Sequence, residues 1–588
     1  MLCGLILFPS GLPASPAPGP APLEARLGFD GVLKIGVPLP AEVRVTSLAS
    51  AGPAEIRVEA PVLGPQAGVV TTSTVISFES IPGVARTFHF PVVVSDIRRP
   101  LMVRALLGGR EVVRRTIAID PARVGGRVVV AVSSDRGGLA FLHRLPGRIV
   151  AADVTEASLP SLWQEYAGVD LLAVRDLDPA RVDDAQRRAL LTWVRMGGRL
   201  VLVARPGMPV PAFLSPLLPA RVGSPRTVSS LDSLARRFGA ALRSGPVVLA
   251  SLAPLPGADE VRSGGVPVIA SGPQGWGWVT VWSFDPWEPP FRGWAGNLRL
   301  WADALGDPAH PLVDAGVVAG RLSDHPPFNP LLHGAVGAAI LGYIVLVYAL
   351  RRRAPPAAAA ASGLVVACLA VGAFAALAGD IRSRSTALVQ ATFFEQAPAG
   401  PVARARAIAV ASVPYGGPYR LRAPRDAIAV PAASSGDLRL DLTAGGAVLS
   451  GFLRPGENGR AFEALGAVPL DTSGTLSSDD RDLTVDLRAF PLRRAEVRWA
   501  DRIYLLGDLP AGVTVRRLRP DLWIPQENVA DDRGRAWIFR GSGGDVIMKR
   551  TTPVLVGEME RQAPPFAFEG PEAPGRQPAI LLVPLARR

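Results

Sequence analysis

Thiols are nearly absent from this chain: Cys3 and Cys368 are its only cysteines in 588 residues. That scarcity excludes a disulfide framework and any zinc module built on cysteine pairs. Histidine is sparse as well, and His89, His143, His310, His325 and His333 lie far apart. No spacing among them suggests a metal site, so neither a metal nor a cofactor is expected. Lysine is limited to Lys34 and Lys549, so almost all of the 63 basic residues are arginine. The net charge of +12 is spread thinly along the chain and forms no clustered basic face of the kind phosphate binding requires. Nucleic acid is therefore not an expected partner. Also missing are a Gly-x-Ser-x-Gly elbow, a His-Glu-x-x-His helix, a Walker loop and a glycine-rich dinucleotide fingerprint. What is abundant is apolar surface, 48% of residues, far too much for a disordered chain. At roughly 100–200 residues per domain, the length predicts three or four folded units.

Two apolar runs stand out. Residues Leu331 to Leu350 carry no formal charge, and as a helix of 20 residues they would extend roughly 30 Å, the thickness of a bilayer core. Residues Ala357 to Gly379 form a second run, rich in Ala and Gly, whose small side chains permit close helix contact. Between them, at 351–356, sit Arg351, Arg352 and Arg353. A short cationic turn of this kind stays on the cytoplasmic side, so the pattern predicts a transmembrane hairpin with both flanking regions outside the cell. This makes the chain a multi-pass cell-membrane protein, with the lipid bilayer and membrane or envelope proteins as partners. Residues 1–22 have a short apolar run followed by Pro and Ala but no positive charge at the start, and read as a signal segment lacking its usual n-region.

Outside the hairpin, the rhythm changes twice. Residues 23–120 alternate polar and apolar in short runs broken by Gly and Pro, which predicts an N-terminal β-sandwich. The turn Phe29-Asp30-Gly31 falls near its start. Between 121 and 310, apolar residues instead run consecutively over Val128–Val132, Arg148–Asp153, Val169–Val174 and Arg199–Val203. Such strands are buried on both faces, as in a parallel sheet covered by helices. A helix over Asp184–Met196 is predicted with Asp183 as its cap, Gln186 completing a capping box, and Gly197-Gly198 ending it. Residues 381–588 return to alternation and predict a C-terminal β-sandwich-like region. The fold class expected is thus a multidomain protein, α/β plus all-β.

The segment Val169-Asp170-Leu171-Leu172-Ala173-Val174, then Asp183-Asp184-Ala185-Gln186, then Leu190 to Val201 with Trp193 and Gly197-Gly198, resembles the class I glutamine-amidotransferase-like, flavodoxin-like domain of bacterial membrane proteins. The resemblance covers roughly residues 124 to 305. It implies a flavodoxin-like parallel α/β domain with a cysteine on the turn after a buried strand and a His and Glu after a later one. The matching turn here reads Ala204-Arg205-Pro206-Gly207, without a thiol. Where the family places His-Pro-Glu, this chain has Asp285-Pro286-Trp287-Glu288, without the histidine. The resemblance therefore implies a catalytically degenerate domain, and catalytic residues are not assigned.

Candidate ligand-binding residues come from two loops. Asp176 and Asp178, with Asp183 and Asp184, form the densest carboxylate group and follow a predicted parallel strand, where ligands of open α/β sheets bind. Helix capping explains Asp183 and accounts equally well for Asp178 before Pro179. The second loop supplies Asp285, Trp287 and Glu288. Six of the eleven tryptophans fall between Trp276 and Trp301. Their indoles could line a groove, although strand and helix packing explains most of them better. The function expected is non-catalytic binding or scaffolding in an envelope complex. A cysteine-independent hydrolase and a transporter accessory subunit are the alternatives.

Overall fold

The computed structural model describes residues 22–306 except 47, 49, 64–68, 134–137 and 243–244, isolated residues between 313 and 372, and the strands of 387–587. It is largely β. The first seven strands are β1 (Leu23–Leu27), β2 (Pro38–Val45), β3 (Gly52–Leu63), β4 (Val69–Ser80), β5 (Arg86–Val93), β6 (Leu101–Leu107) and β7 (Arg110–Ile117). Strands β1, β2 and β5 form a three-stranded sheet. Inward residues such as Val43, Ile56, Val58, Phe90 and Val103, all at most 1% exposed, make one core between it and the sheet holding β3, β4, β6 and β7.

The central part is a seven-stranded sheet. It contains β8 (Arg127–Val132), β9 (Ile149–Val154), β10 (Leu171–Val174), β11 (Arg199–Val203), β14 (Asp259–Ser263), β15 (Val266–Gln274) and β16 (Gly277–Trp282), in the order β14-β15-β16-β11-β10-β8-β9. Strands β9, β8, β10, β11 and β16 pair in parallel, whereas β15 and β14 are antiparallel. The consecutive apolar residues of β8, β10 and β11 are buried against two separate clusters, one on each face. A separate hairpin, β12 (Ala220–Val228) and β13 (Val247–Pro254), and the helices α1 (Asp184–Arg195), α2 (Asp232–Arg237) and α3 (Asn297–Leu305) complete the covering layers.

The flavodoxin-like expectation is corrected here. A doubly wound domain returns between parallel strands through helices on both faces, but among the described residues the β8–β9 and β9–β10 connections carry only 3-10 turns, at Ala140–Arg144, Glu156–Ser158 and Trp163–Tyr166. Their sequences lack a sustained 3.6-residue stripe, and the hairpin β12–β13 supplies Ala220, Ala250 and Leu252 to the core. The crossover helix α1 forms with the capping box expected: Asp183 Oδ1 accepts from the Gln186 amide at 2.8 Å and Gln186 Oε1 from the Asp183 amide at 2.9 Å.

The C-terminal strands also depart from a separate sandwich. Strands β17 (Ala387–Gln396), β18 (Val402–Ser412), β20 (Ile428–Ala433) and β23 (Arg460–Pro469) belong to a nine-stranded sheet. Strands β19 (Gly417–Ala423), β21 (Leu438–Thr443) and β22 (Gly446–Leu453), however, extend the N-terminal sheet. Strand β21 pairs in parallel with β4, Leu438 opposite Thr72, so a single eight-stranded sheet combines strands from before and after the central sheet. Period-two alternation reports which residues face a core, and it is silent on which strands are neighbours.

The transmembrane expectation is corrected as well. Most of 331–350 and 357–379, and Arg351, Arg352 and Arg353, lie outside the described residues, as does nearly all of 1–22. In the first stretch, Leu341, Ile344, Val345 and Tyr348 are helical and exposed. Among the described residues no helix is long and apolar enough to cross a membrane. The two-helix hairpin, the multi-pass location and the outward placement of the flanking regions are set aside accordingly. An apolar window of sufficient length is necessary for a span, but it does not itself establish one continuous helix.

The N-terminal sheets are fastened to the central one by the turn at Gly28 to Gly31. Gly28 has φ +66° and an added Cβ would lie 2.2 Å from the Val32 carbonyl oxygen, so only glycine fits. The turn drives Phe29, 4% exposed, into the central core 6.0 Å from the Tyr166 ring. Beside it, Lys34 Nζ donates to Asp170 at 2.9 Å, and Asp170 Oδ2 also accepts from the Val128 amide at 2.8 Å, at the start of β8. Strand β2 packs on the Trp163–Tyr166 turn, whose Glu165 is 1% exposed. Burial pushes the Glu165 carboxyl from 4.5 up to about 8, partly opposed by a hydrogen bond from the Leu162 backbone. The unfolded chain ionises this group near 4.5, whereas the folded protein keeps the proton until about 8. Its contribution to stability is therefore complete below the lower value and is lost as pH rises through the higher one. In Glu165→Gln, the decline in thermal stability between about pH 5 and pH 8 should flatten, with the variant the more stable protein at the alkaline end. Parallel pH profiles for variant and parent would show that Glu165 does not titrate in this way.

Candidate functional site

The carboxyl ends of β10, β11 and β16 converge on one edge of the central sheet, and each strand delivers charged residues there. Strand β10 is followed by Arg175 and Asp176, whose amides donate to the Val132 carbonyl at the end of β8. Strand β11 continues to Ala204, whose amide donates to the Trp282 carbonyl at 2.8 Å, and then to Arg205. Strand β16 leads through buried Ser283 and Phe284 to Asp285. The parallel register thus places three loops side by side although their residues are far apart in sequence.

Arg175 is the innermost member, its side chain 4% exposed. Its Nε donates to Asp285 Oδ2 at 2.7 Å, and Asp285 is equally buried. Its Nη2 donates to Glu288 Oε1 at 3.3 Å, and its Nη1 lies 3.6 Å from Asp176 Oδ2. Arg205 stands further out and binds the same three acids. Its Nη1 donates to Asp176 Oδ1 at 2.7 Å and its Nη2 to Glu288 Oε1 at 2.9 Å, while its Nε lies 3.6 Å from Asp285 Oδ2. Two guanidiniums therefore interlock with three carboxylates. Charge-assisted bonds of this kind are stronger than neutral ones, and burial raises the cost of removing either partner.

Asp285 also organises its own loop. Its Oδ1 accepts from the Trp287 amide at 2.9 Å, and its carbonyl accepts from the Glu288 amide at 3.2 Å. Asn297 Nδ2 at the start of α3 donates to the Pro286 carbonyl at 3.2 Å. Trp287 is fixed from three sides. The Arg175 guanidinium carbon lies 5.6 Å from its ring centroid, and Trp301 meets it edge-on at 5.2 Å. On the third side is Gly138, where an added Cβ would lie 2.2 Å from the indole Nε1. The loop leaving Arg205 supplies Gly207 to Val210 to the wall of a hollow of about 740 Å³, closed further by Ser215, Leu218 and residues of β12.

The structure thus brings Asp176, Asp285, Trp287 and Glu288 together and leaves Asp178 out. Asp178 Oδ1 accepts from the Ala180 amide at 2.9 Å and caps the 3-10 turn Pro179–Arg181. Its own amide donates to Glu156. The tryptophans divide similarly: Trp282, Trp294 and Trp301 are buried packing residues, and Trp276 donates Nε1 to the Glu395 carbonyl of β17 at 3.0 Å. Among the described residues, no group of three or more His, Cys, Asp or Glu side chains could hold a metal ion. Sequence reading missed Arg175 and gave Arg205 no role. The available signal was position, since each arginine comes within two residues of the end of a strand buried on both faces, at Val174-Arg175 and Val203-Ala204-Arg205.

No family model matches the chain, and no curated protein does. Among solved structures, it is similar to an exo-β-1,4-mannosidase from Opitutaceae bacterium strain TAV5, at 16% identity over 31% of this chain and 36% of that one, TM-score 0.21. A ThuA-like protein from Bacteroides uniformis matches at 9% identity over 30% of this chain and 90% of its own, TM-score 0.22. A β-galactosidase from Rahnella sp. R3 matches at 11% identity over 56% and 41%, TM-score 0.19. The match thus spans about a third of the mannosidase. Scores this low assign neither a fold family nor an activity, and nothing in these comparisons shows a glutamine-amidotransferase-like domain.

Breaking the innermost ion pair should be costly. Asp285→Ala leaves Arg175 buried beside a lost partner and releases the Trp287 amide, and is expected to destabilise the protein by about 3 kcal/mol in chemical denaturation. Asp178→Ala removes only an exposed cap and should cost no more than about 1 kcal/mol. Equal losses for the two would contradict the different roles given to these carboxylates.

Proposed function

We propose that the protein binds a small polar molecule at the carboxyl edge of its central sheet, with Arg205, Asp176 and Trp287 as the contacting side chains, Glu288 at the outer rim, and Arg175 and Asp285 as buried support. The reading rests on one observation: ionic side chains from three strands meet at the edge where open α/β sheets take their ligands, and they are graded in exposure. Arg175 and Asp285 are 4% exposed, Asp176 is 21%, Arg205 31% and Glu288 47%. A purely structural clasp gains little from keeping its outer members half open. A binding site needs this arrangement, with a rigid inner pair holding outer donors and acceptors in place.

One further feature supports it. Trp287, pinned against Gly138 and Trp301, offers an apolar surface beside the ions. Calorimetric or thermal-shift titration with neutral polyols, amino acids and carboxylic acids should find a class that binds saturably. Its affinity should fall at least about tenfold in Trp287→Ala and Arg205→Ala and stay unchanged in His89→Ala, which alters the N-terminal sheet. The proposal fails if no class binds, or if binding survives both site substitutions.

A further inference from the structure

We infer that Glu288 is an internal stand-in for the ligand's own carboxylate, so the molecule bound at this edge is a small carboxylic acid that enters by displacing the Glu288 side chain. The inference rests on the binding reading above and specifies its ligand. Its basis is the unequal hold on the three acids. Asp285 uses both oxygens, one on Arg175 and one on the Trp287 amide, and is almost wholly buried. Asp176 sits on the strand end whose amide is tied to Val132. Glu288, by contrast, bridges both arginines through the single oxygen Oε1, at 3.3 Å from Arg175 Nη2 and 2.9 Å from Arg205 Nη2, and its side chain is 47% exposed.

Swinging Glu288 aside takes a carboxylate from a half-solvated place into water, so its desolvation cost is small, whereas freeing Asp285 would expose a buried pair. After that rotation, two guanidinium N–H groups point at one vacated oxygen position, with Asp285 and Asp176 still neutralising the arginines. Two guanidiniums and two carboxylates then sum to zero, and a monocarboxylate restores the charge of −1 carried by the closed cluster. A phosphate dianion would instead bring a second negative charge close to Asp285 and Asp176, which disfavours it. Carboxylate oxygens suit the planar donors of arginine, and Trp287, the residue preceding Glu288, provides a wall for the rest of the acid. While Glu288 is seated, the competent state is only a fraction of the population, and apparent affinity is reduced by that fraction.

The test titrates acetate and benzoate, with chloride and inorganic phosphate as comparison anions, into the full chain and into Glu288→Ala, by calorimetry and melting temperature. The expected result is carboxylate binding at least about tenfold tighter in Glu288→Ala than in the parent, lost again in the double variant with Arg205→Gln. Phosphate should gain no more than chloride. Glu288→Gln, which keeps the shape and drops the charge, should show a smaller gain in the same direction and serves if the alanine variant does not fold. Equal carboxylate affinity in parent and variants, or a phosphate gain matching that of acetate, overturns the inference. If a neutral compound still binds in a Trp287-dependent way in that case, the displacement mechanism alone has failed. If no compound binds to parent or variant, the binding site itself has failed.

Discussion

A guanidinium with almost no exposure must be surrounded by carboxylates, and Arg175 imposes that requirement on its own loop and on the loop after β16. Its partner Asp285 is equally buried, so neither charge can be removed without stranding the other. Because Asp285 also accepts from the Trp287 amide, meeting the charge requirement fixes the loop that carries Trp287 and Glu288. The site's outer face is consequently set by a pairing beneath it. The parallel register of β10, β11 and β16 makes this possible, since adjacent strand ends arrive at the same level and bring their charged side chains within reach of one another.

The same arrangement explains why the two largest groups of candidate residues behave so differently. Acidic residues following β10 were grouped by proximity in sequence, yet only Asp176 faces the neighbouring strand ends, while Asp178 turns to Ala180 and caps its own segment. The tryptophans were grouped by density. Trp282, Trp294 and Trp301 serve the core, and Trp276 joins the central sheet to β17, with the Arg404 guanidinium 4.9 Å from its ring centroid. Only Trp287, in the loop organised by Asp285, stands among the ions.

Local features were the most legible in the sequence. The capping box of α1 follows from side-chain chemistry within a few residues, and consecutive apolar runs mark the strands of the central sheet buried on both faces. Relations across long stretches were not. Hydropathy gave the length of the stretches at 331–350 and 357–379 but could not establish membrane-spanning helices. Alternation gave strands on either side without revealing that β4 and β21 share a sheet. The acidic half of the site was visible as loop carboxylates. Its basic half was less visible because Arg175 and Arg205 are two of very many arginines, marked in the sequence by nothing but their place after buried apolar runs.

The pairing of β4 with β21 has a consequence for how the chain is made. Strand β4, twelve residues long, leaves the ribosome with β3 on one side, while the strand for its other side lies beyond residue 437. At ~5–20 residues per second, the nascent protein carries this open edge for ~20–70 s. An unpaired edge of that length is a template for strands of other chains, so the N-terminal sheet needs protection during synthesis that the finished protein does not.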